Sequence, residues 1–263
     1  MDRYVLRGGQ PGFDRLRLLA RVHQAETAEL LRLAGVRPGL RCIDLGCGSG
    51  DVTFELAGMT GPAGSVLGLD MDQDKVALAT AEAGRQGLRT VEFRVGTVAG
   101  WDEPASYDVV YCRFLLQHLS APIDLLRRMW QALRPGGVIV VEDADFDGMF
   151  CDPPSDDFDF CRRMYSRVCA LNGGDATIGR KLRRYFTEAG ITGPELRLVQ
   201  AAGSADCNEL VLSTLVASAE AITVAGVATA AQVDAAIAGL ATLASDPATL
   251  TSVPRTFQVW ARR

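Results

Sequence analysis

The sequence predicts an α/β fold: a largely parallel sheet with helices on both faces. Two observations carry this expectation. Short apolar runs alternate with helix-period stretches through the first half of the chain, and parallel strands need such crossovers. One run, "RCIDL" at 41–45, ends in the bare stretch "GCGSG" just before a helical pattern. Strands that meet a ligand at their carboxyl ends are built this way. A chain of 263 residues suits one elaborated domain, and 48% apolar with 22% charged residues is ordinary globular composition.

The elements follow in order. "GFDRLRLLARVHQAETAELL" reads as an amphipathic helix, placing lid helices in 1–36. A helix is expected from about Asp51 to Gly58, after the strand "RCIDL". "SVLGLD" (65–70) is a strand and "DQDKVALATAEAGRQ" the helix after it. "TVEFRV" (90–95) and "YDVVYC" (107–112) are further strands, and "PIDLLRRMWQALRPGG" is a helix. "RPGG" at 134–137 ends that helix, since Pro cannot continue it and Gly permits a tight turn. "VIVVED" (138–143) closes the core at 38–143. Two excursions follow, 144–190 and 205–250, each with helical patterns. "ELRLVQ" (195–200) and the terminal "FQVWARR" are the last strands.

Charge and composition narrow the classes. A net charge of −5 gives no electrostatic reason for a nucleic-acid partner. No apolar run reads as long enough to cross a membrane, and "MDRYVLRGG" lacks a signal peptide's apolar stretch. Seven cysteines without a C-x-x-C pair indicate neither a disulfide framework nor a zinc site. A cytoplasmic protein is expected.

Gly46, Gly48 and Gly50 leave backbone bare where a ligand can touch it. Asp70 ends the next predicted strand, where an acid accepts hydrogen bonds from a ribose diol. The loop lacks the G-x-G-x-x-G spacing of a dinucleotide site. Asp44 stands two residues before its first glycine, where it would repel a pyrophosphate and suit an ammonium. S-adenosylmethionine carries a ribose, an ammonium and no phosphate.

"DLGCGSG", "VLGLDMD", "YDVVYCRFLLQHL" and "LRPGGVIVVED" occur in that order, and over 38–143 the chain resembles the class I S-adenosylmethionine-dependent methyltransferases, nearest the small-molecule quinone and natural-product group. The resemblance implies a Rossmann-like seven-stranded sheet with an antiparallel last strand; the extra material at 144–190 and 205–250 is expected to form helical cap insertions. It implies S-adenosylmethionine as cofactor, S-adenosylhomocysteine as product, and a small-molecule acceptor. The cofactor set would be Tyr4, Arg7, Asp44, Gly46, Gly48, Gly50, Asp70, Met71, Thr97, Val98 and Arg113. Tyr4 and Arg7 fall in a segment such proteins fold over the cofactor, with Arg7 available to the methionyl carboxylate. One departure stands out. The family commonly has an acid near the adenine amino group after the third strand; here the residues are Gly96, Thr97 and Val98.

His118 follows the fourth strand at the substrate face and is the candidate base for a hydroxyl acceptor. Glu142 and Asp143, ending the fifth strand, are carboxylates that could orient it or bind substrate. His23 reads as a surface residue. Phe146, Phe150 and Tyr165 are candidate walls of the acceptor pocket. The stretch 205–250 either caps the first insertion or forms a contact in a homodimer. "DPPS" at 152–155 resembles an amine-methylation signature but follows the fifth strand rather than the fourth, and reads as a rigid turn. No metal is implied. The expected reaction is methyl transfer to a small molecule, with a hydroxyl oxygen as first acceptor. Nitrogen or carbon acceptors stay open, as does a non-transfer reaction such as cyclisation or decarboxylation, because fold does not fix function.

Overall fold

The structure is a computed structural model that describes residues 9–263. Helix α1 (Gly9–Leu33) leads into β1 (Arg41–Leu45), α2 (Asp51–Thr60), β2 (Ser65–Asp70), α3 (Gln73–Arg85), β3 (Val91–Val95) and β4 (Tyr107–Arg113). A 3-10 turn at Leu116–His118 precedes α4 (Pro122–Ala132) and β5 (Leu133–Asp145). The rest comprises β6 (Cys151–Asp152), α5 (Asp156–Leu171), α6 (Leu182–Glu188), β7 (Glu195–Val199), α7 (Ala205–Val224), α8 (Ala230–Ser245), β8 (Leu250–Thr251) and β9 (Arg255–Arg262).

Seven strands form one sheet in the order β3-β2-β1-β4-β5-β9-β7. Pairings from β3 through β5 are parallel, and β9 runs antiparallel to both β5 and β7. The sheet and its antiparallel terminal strand are as the sequence implied. Alternation assigns the two faces. Ile43, Leu45, Val110, Cys112, Ile139 and Val141 pack under α4 and α6. Cys42, Val109, Tyr111, Val138 and Val140 pack against α1 and α2.

Three local expectations change. The "RPGG" stretch lies inside β5, where pairing shifts from Tyr107↔Leu133 to Val109↔Val138 and the intervening residues bulge out, with Gly136 at φ 81°. Helix α2 runs two residues beyond the expected Gly58. Helix α7, 20 residues with mean hydropathy 1.3, is long and apolar enough to cross a membrane by length and composition, contrary to the sequence reading. Its Val211, Leu215 and Ile222 instead pack with Phe158, Tyr165 and Val168 of α5 and Val233 and Leu240 of α8.

That cluster is a helical layer at one end of the sheet. "DPPS" forms a turn through a cis Asp152–Pro153 bond, and the Ser155 hydroxyl accepts from the Phe158 amide to cap α5. The paired β6 and β8 bring the beginning of one excursion against the end of the other. Helix α1 bridges to the layer through Leu18, which packs with Cys207, Leu210 and Val253. All seven cysteines are free.

Candidate active site

The glycine loop is held from below by β2. The Gly46 and Cys47 amides donate to the Leu69 carbonyl at 2.7 and 3.1 Å, and the Gly48 amide donates to Asp70 Oδ2 at 2.9 Å. Gly48 has φ 54°, and a Cβ there would stand 3.0 Å from Leu16 of α1. The bare backbone thus lets the lid helix close onto the loop. Gly50 has a different role from the one expected. It caps α2 at φ 82°, and its missing Cβ would lie 2.7 Å from the Phe93 ring, away from the cavity.

Asp70 is fixed on both oxygens, since Oδ1 also accepts from the Asp72 amide at 2.9 Å. Each oxygen keeps a further lone pair for a ligand. Asp44 is buried, with the Thr53 hydroxyl donating to Oδ2 at 2.7 Å. Burial pushes its pKa up to about 7, against the pull of Thr53 and Arg113. A cation placed there would restore its charge.

These residues line a cavity of about 960 Å³ with Met71, Thr97, Val98 and Arg113. Met71 is 62% exposed and flanks it. Arg113 Nη1 donates to Thr27 Oγ1 at 3.1 Å, and its guanidinium sits 5.8 Å from the Phe114 ring centroid. Tyr4 and Arg7 lie outside the described residues.

The cavity continues to the cap. His118, Gln117, Phe146, Cys161 and Tyr165 line it, along with Leu210, Val211 and Thr214 of α7. Phe146 and Tyr165 stack at 4.2 Å between centroids, and the Tyr165 hydroxyl donates to Gln117 Oε1 at 3.4 Å. His118 is depressed to a pKa of about 3, chiefly by burial and then by the charges of Arg15 and Lys75. It is therefore neutral at pH 7 and a weak base.

Four sequence expectations need correction. Glu142 and Asp143 do not line the cavity. Neighbours on a strand point to opposite faces. Glu142 faces α1, where Thr27, Tyr111 and Gln258 donate to it; Asp143 faces the 3-10 turn, where the Gln117 and Ala144 amides donate. Both are structural anchors. Phe150 is 44% exposed and outside the cavity, because its amide is tied to Ser252 beside β8. His23 is buried rather than on the surface, packed edge-on against Phe114 at 5.1 Å.

Several cavity residues escaped the sequence reading. Arg15, Leu19 and His23 line it from α1. Their four-residue spacing is one helical stripe, a signal that was available. Lys75 is buried from the first turn of α3 and pairs with Asp72 at 3.3 Å. Nothing in its local sequence marks it.

Residues 37–190 match the family described as methyltransferase domain. A demethylmenaquinone methyltransferase from Lactococcus lactis is 32% identical over 119 residues, 45% of this chain and 47% of that protein. A trans-aconitate 2-methyltransferase from Deinococcus radiodurans is 38% identical over 118 residues, 45% of this chain and 43% of that protein. The chain thus spans less than half the length of either relative. Among solved structures, a SAM dependent methyltransferase from Aquifex aeolicus superposes with TM-score 0.56 at 19% identity, covering 73% of this chain and 93% of that one, a likeness of fold. More than half of the chain carries the family's pattern, and that stretch holds the glycine loop, Asp70 and His118: the protein belongs to the methyltransferase domain family.

Proposed function

We propose that the protein transfers a methyl group from S-adenosylmethionine to an oxygen of a small-molecule acceptor. One observation carries this reading. A single cavity joins the glycine loop and Asp70 to an aromatic pocket under the cap. Its volume of about 960 Å³ lies at the upper end of the roughly 300–1,000 Å³ of ligand sites, room for a donor and an acceptor together.

The residues fit the donor. Asp70 offers two oriented acceptors to a ribose diol, and Asp44 an acid that gains from a facing ammonium. Thr97 and Val98 face the adenine end without a carboxylate, so backbone and shape bind the base there. When bound, S-adenosylmethionine supplies a methyl group on an already activated sulfur leaving group. The protein's own task is alignment and exclusion of water. Phe146 and Tyr165 offer a flat wall to the acceptor, and Gln117 a polar contact beside it. A neutral His118 offers the acceptor a polar contact and orients it. With a conjugate acid of pKa about 3, it does not retain a proton taken from a hydroxyl.

The test has two stages. Calorimetric titration with S-adenosylhomocysteine reads the donor site, and incubation with methyl-labelled S-adenosylmethionine and small oxygen acceptors reads transfer. Absence of S-adenosylhomocysteine binding refutes the proposal. An acceptor altered in skeleton without gain of a methyl would replace it with a non-transfer reaction.

A further inference from the structure

Resting on the methyl-transfer reading, we infer that the acceptor is an organic anion, a carboxylate or an ionised acidic enol or phenol, and that Arg15 of α1 recognises it. The acids of the cavity are gathered at one end. The acids that line it, Asp44, Asp51, Asp70 and Asp72, all belong to the glycine loop and the end of β2 or their immediate flanks. Among the described residues the acceptor end has none; its walls include Phe146, Met149, Tyr165, Leu210 and Val211. Into that end the lid helix brings a guanidinium.

Arg15 is held in place without being neutralised. Its Nε and Nη2 both donate to Thr214 Oγ1 of α7, at 3.3 and 3.1 Å. A guanidinium has five donor hydrogens, and a single hydroxyl leaves most of them unused. Asp14, Asp51 and Glu209 line the outer cleft beside Arg15, yet none forms an ion pair with it among the described residues. A half-buried guanidinium among apolar walls, with no carboxylate of its own, is a site for an anion.

The chemistry agrees. An ionised oxygen needs no base, which suits a pocket whose histidine is held neutral. The acceptor's lone pair forms the new oxygen–carbon bond while the carbon–sulfur bond breaks and its electron pair stays on sulfur. No proton moves. An anion and a sulfonium become two neutral products, and a dry apolar site favours a reaction that annihilates charge. Arg15 holds one oxygen of a carboxylate while the other stays available to attack.

The experiment uses the full chain with 2-naphthoate and its neutral counterpart 2-naphthamide, titrated calorimetrically with and without saturating S-adenosylhomocysteine. The S-adenosylhomocysteine titration itself reports on the donor site, so a failed methyl-transfer reading registers separately from failed anion recognition. The expected result is naphthoate binding about tenfold or more tighter than naphthamide, the scale of one charged hydrogen bond. Arg15→Gln should remove that preference while leaving naphthamide affinity within about threefold, and Arg15→Lys should restore part of it. Equal binding of the two probes, or binding of neither, overturns the inference. So does an Arg15→Gln variant that weakens both probes alike, since Arg15 would then only latch α1 to α7.

Discussion

Replacing Asp70 with alanine separates ligand binding from folding. In the structure the carboxylate already accepts two backbone amides, from Gly48 and Asp72, each at 2.9 Å. The two remaining lone pairs are those a ribose diol would use. Hydrogen bonds to a charged group are worth about 1.5–3 kcal/mol each, so losing even one lowers affinity roughly tenfold to a hundredfold. The effect on stability is smaller. Asp70 is only half-buried, and Gly48 and Asp72, whose amides it frees, both line the cavity. That loss is about 1 kcal/mol or less. Calorimetric titration with S-adenosylhomocysteine and thermal melting of the same samples give both quantities. A variant that binds S-adenosylhomocysteine within threefold of the parent refutes the ribose assignment. One that binds weakly only because it is largely unfolded would assign Asp70 to the loop alone. Asp70→Asn sharpens the distinction, because its amide nitrogen must face a backbone N–H or a ribose hydroxyl where an acceptor is needed.

Other outcomes follow from the same geometry. Gly50→Ala forces a Cβ at φ 82° to within 2.7 Å of Phe93, and should cost about 1–3 kcal/mol in denaturant melts. Its S-adenosylhomocysteine affinity should stay near the parent's, because Gly50 does not line the cavity. His118→Asn should slow methyl transfer by less than about tenfold, below the hundredfold or more of a general base; a larger loss with unchanged acceptor affinity would reinstate His118 as the base. The same variant has a pH signature. His23 and His118 are depressed from 6.5 to about 3, so the unfolded chain binds their protons first and stability falls as pH drops below 6.5. Asp44 and Asp143 are raised from 3.8 to about 7, so the folded chain protonates first and stability rises as pH drops from 7 toward 3.8. The two pairs oppose each other. Removing His118 should tilt the balance, making the variant gain on the parent by up to about 1.4 kcal/mol per pH unit between pH 6.5 and 4. Parallel stability curves for variant and parent would mean His118 titrates normally.

The sheet was readable because its signals are local. In β1 and β2 an apolar run ends where the period changes from two to helical, and glycine or an acid marks the junction. The loop residues Gly46 and Gly48, with Asp70, follow from the same junctions. Asp143 and Glu142 misled for a reason also written in the strand. Consecutive residues cannot both face one ligand, and the apolar partners Val140 and Val141 already showed which side each would take. Phe150 misled for a different reason. Its aromatic neighbours Phe146 and Tyr165 do line the cavity, but the pairing of β6 with β8 turns the chain away in between, and that pairing joins segments from the two excursions.

What no local window carries is the electrostatics of the acceptor end. Composition assigns His118 an ordinary pKa, and its position after β4 invites a catalytic base. Burial changes that most, and two cations that arrive from elsewhere in the chain add to it. Arg15 comes from α1, aimed by a hydroxyl on α7, and Lys75 comes from α3 on the far side of the glycine loop. Each is an unremarkable charge in its own helix. Only the closure of α1 onto Gly48, where Leu16 occupies the space of a missing Cβ, brings Arg15 into the cavity. Arg15 thus adds to the burial that makes the histidine a poor base, and it is also the residue that makes the pocket a site for an anion.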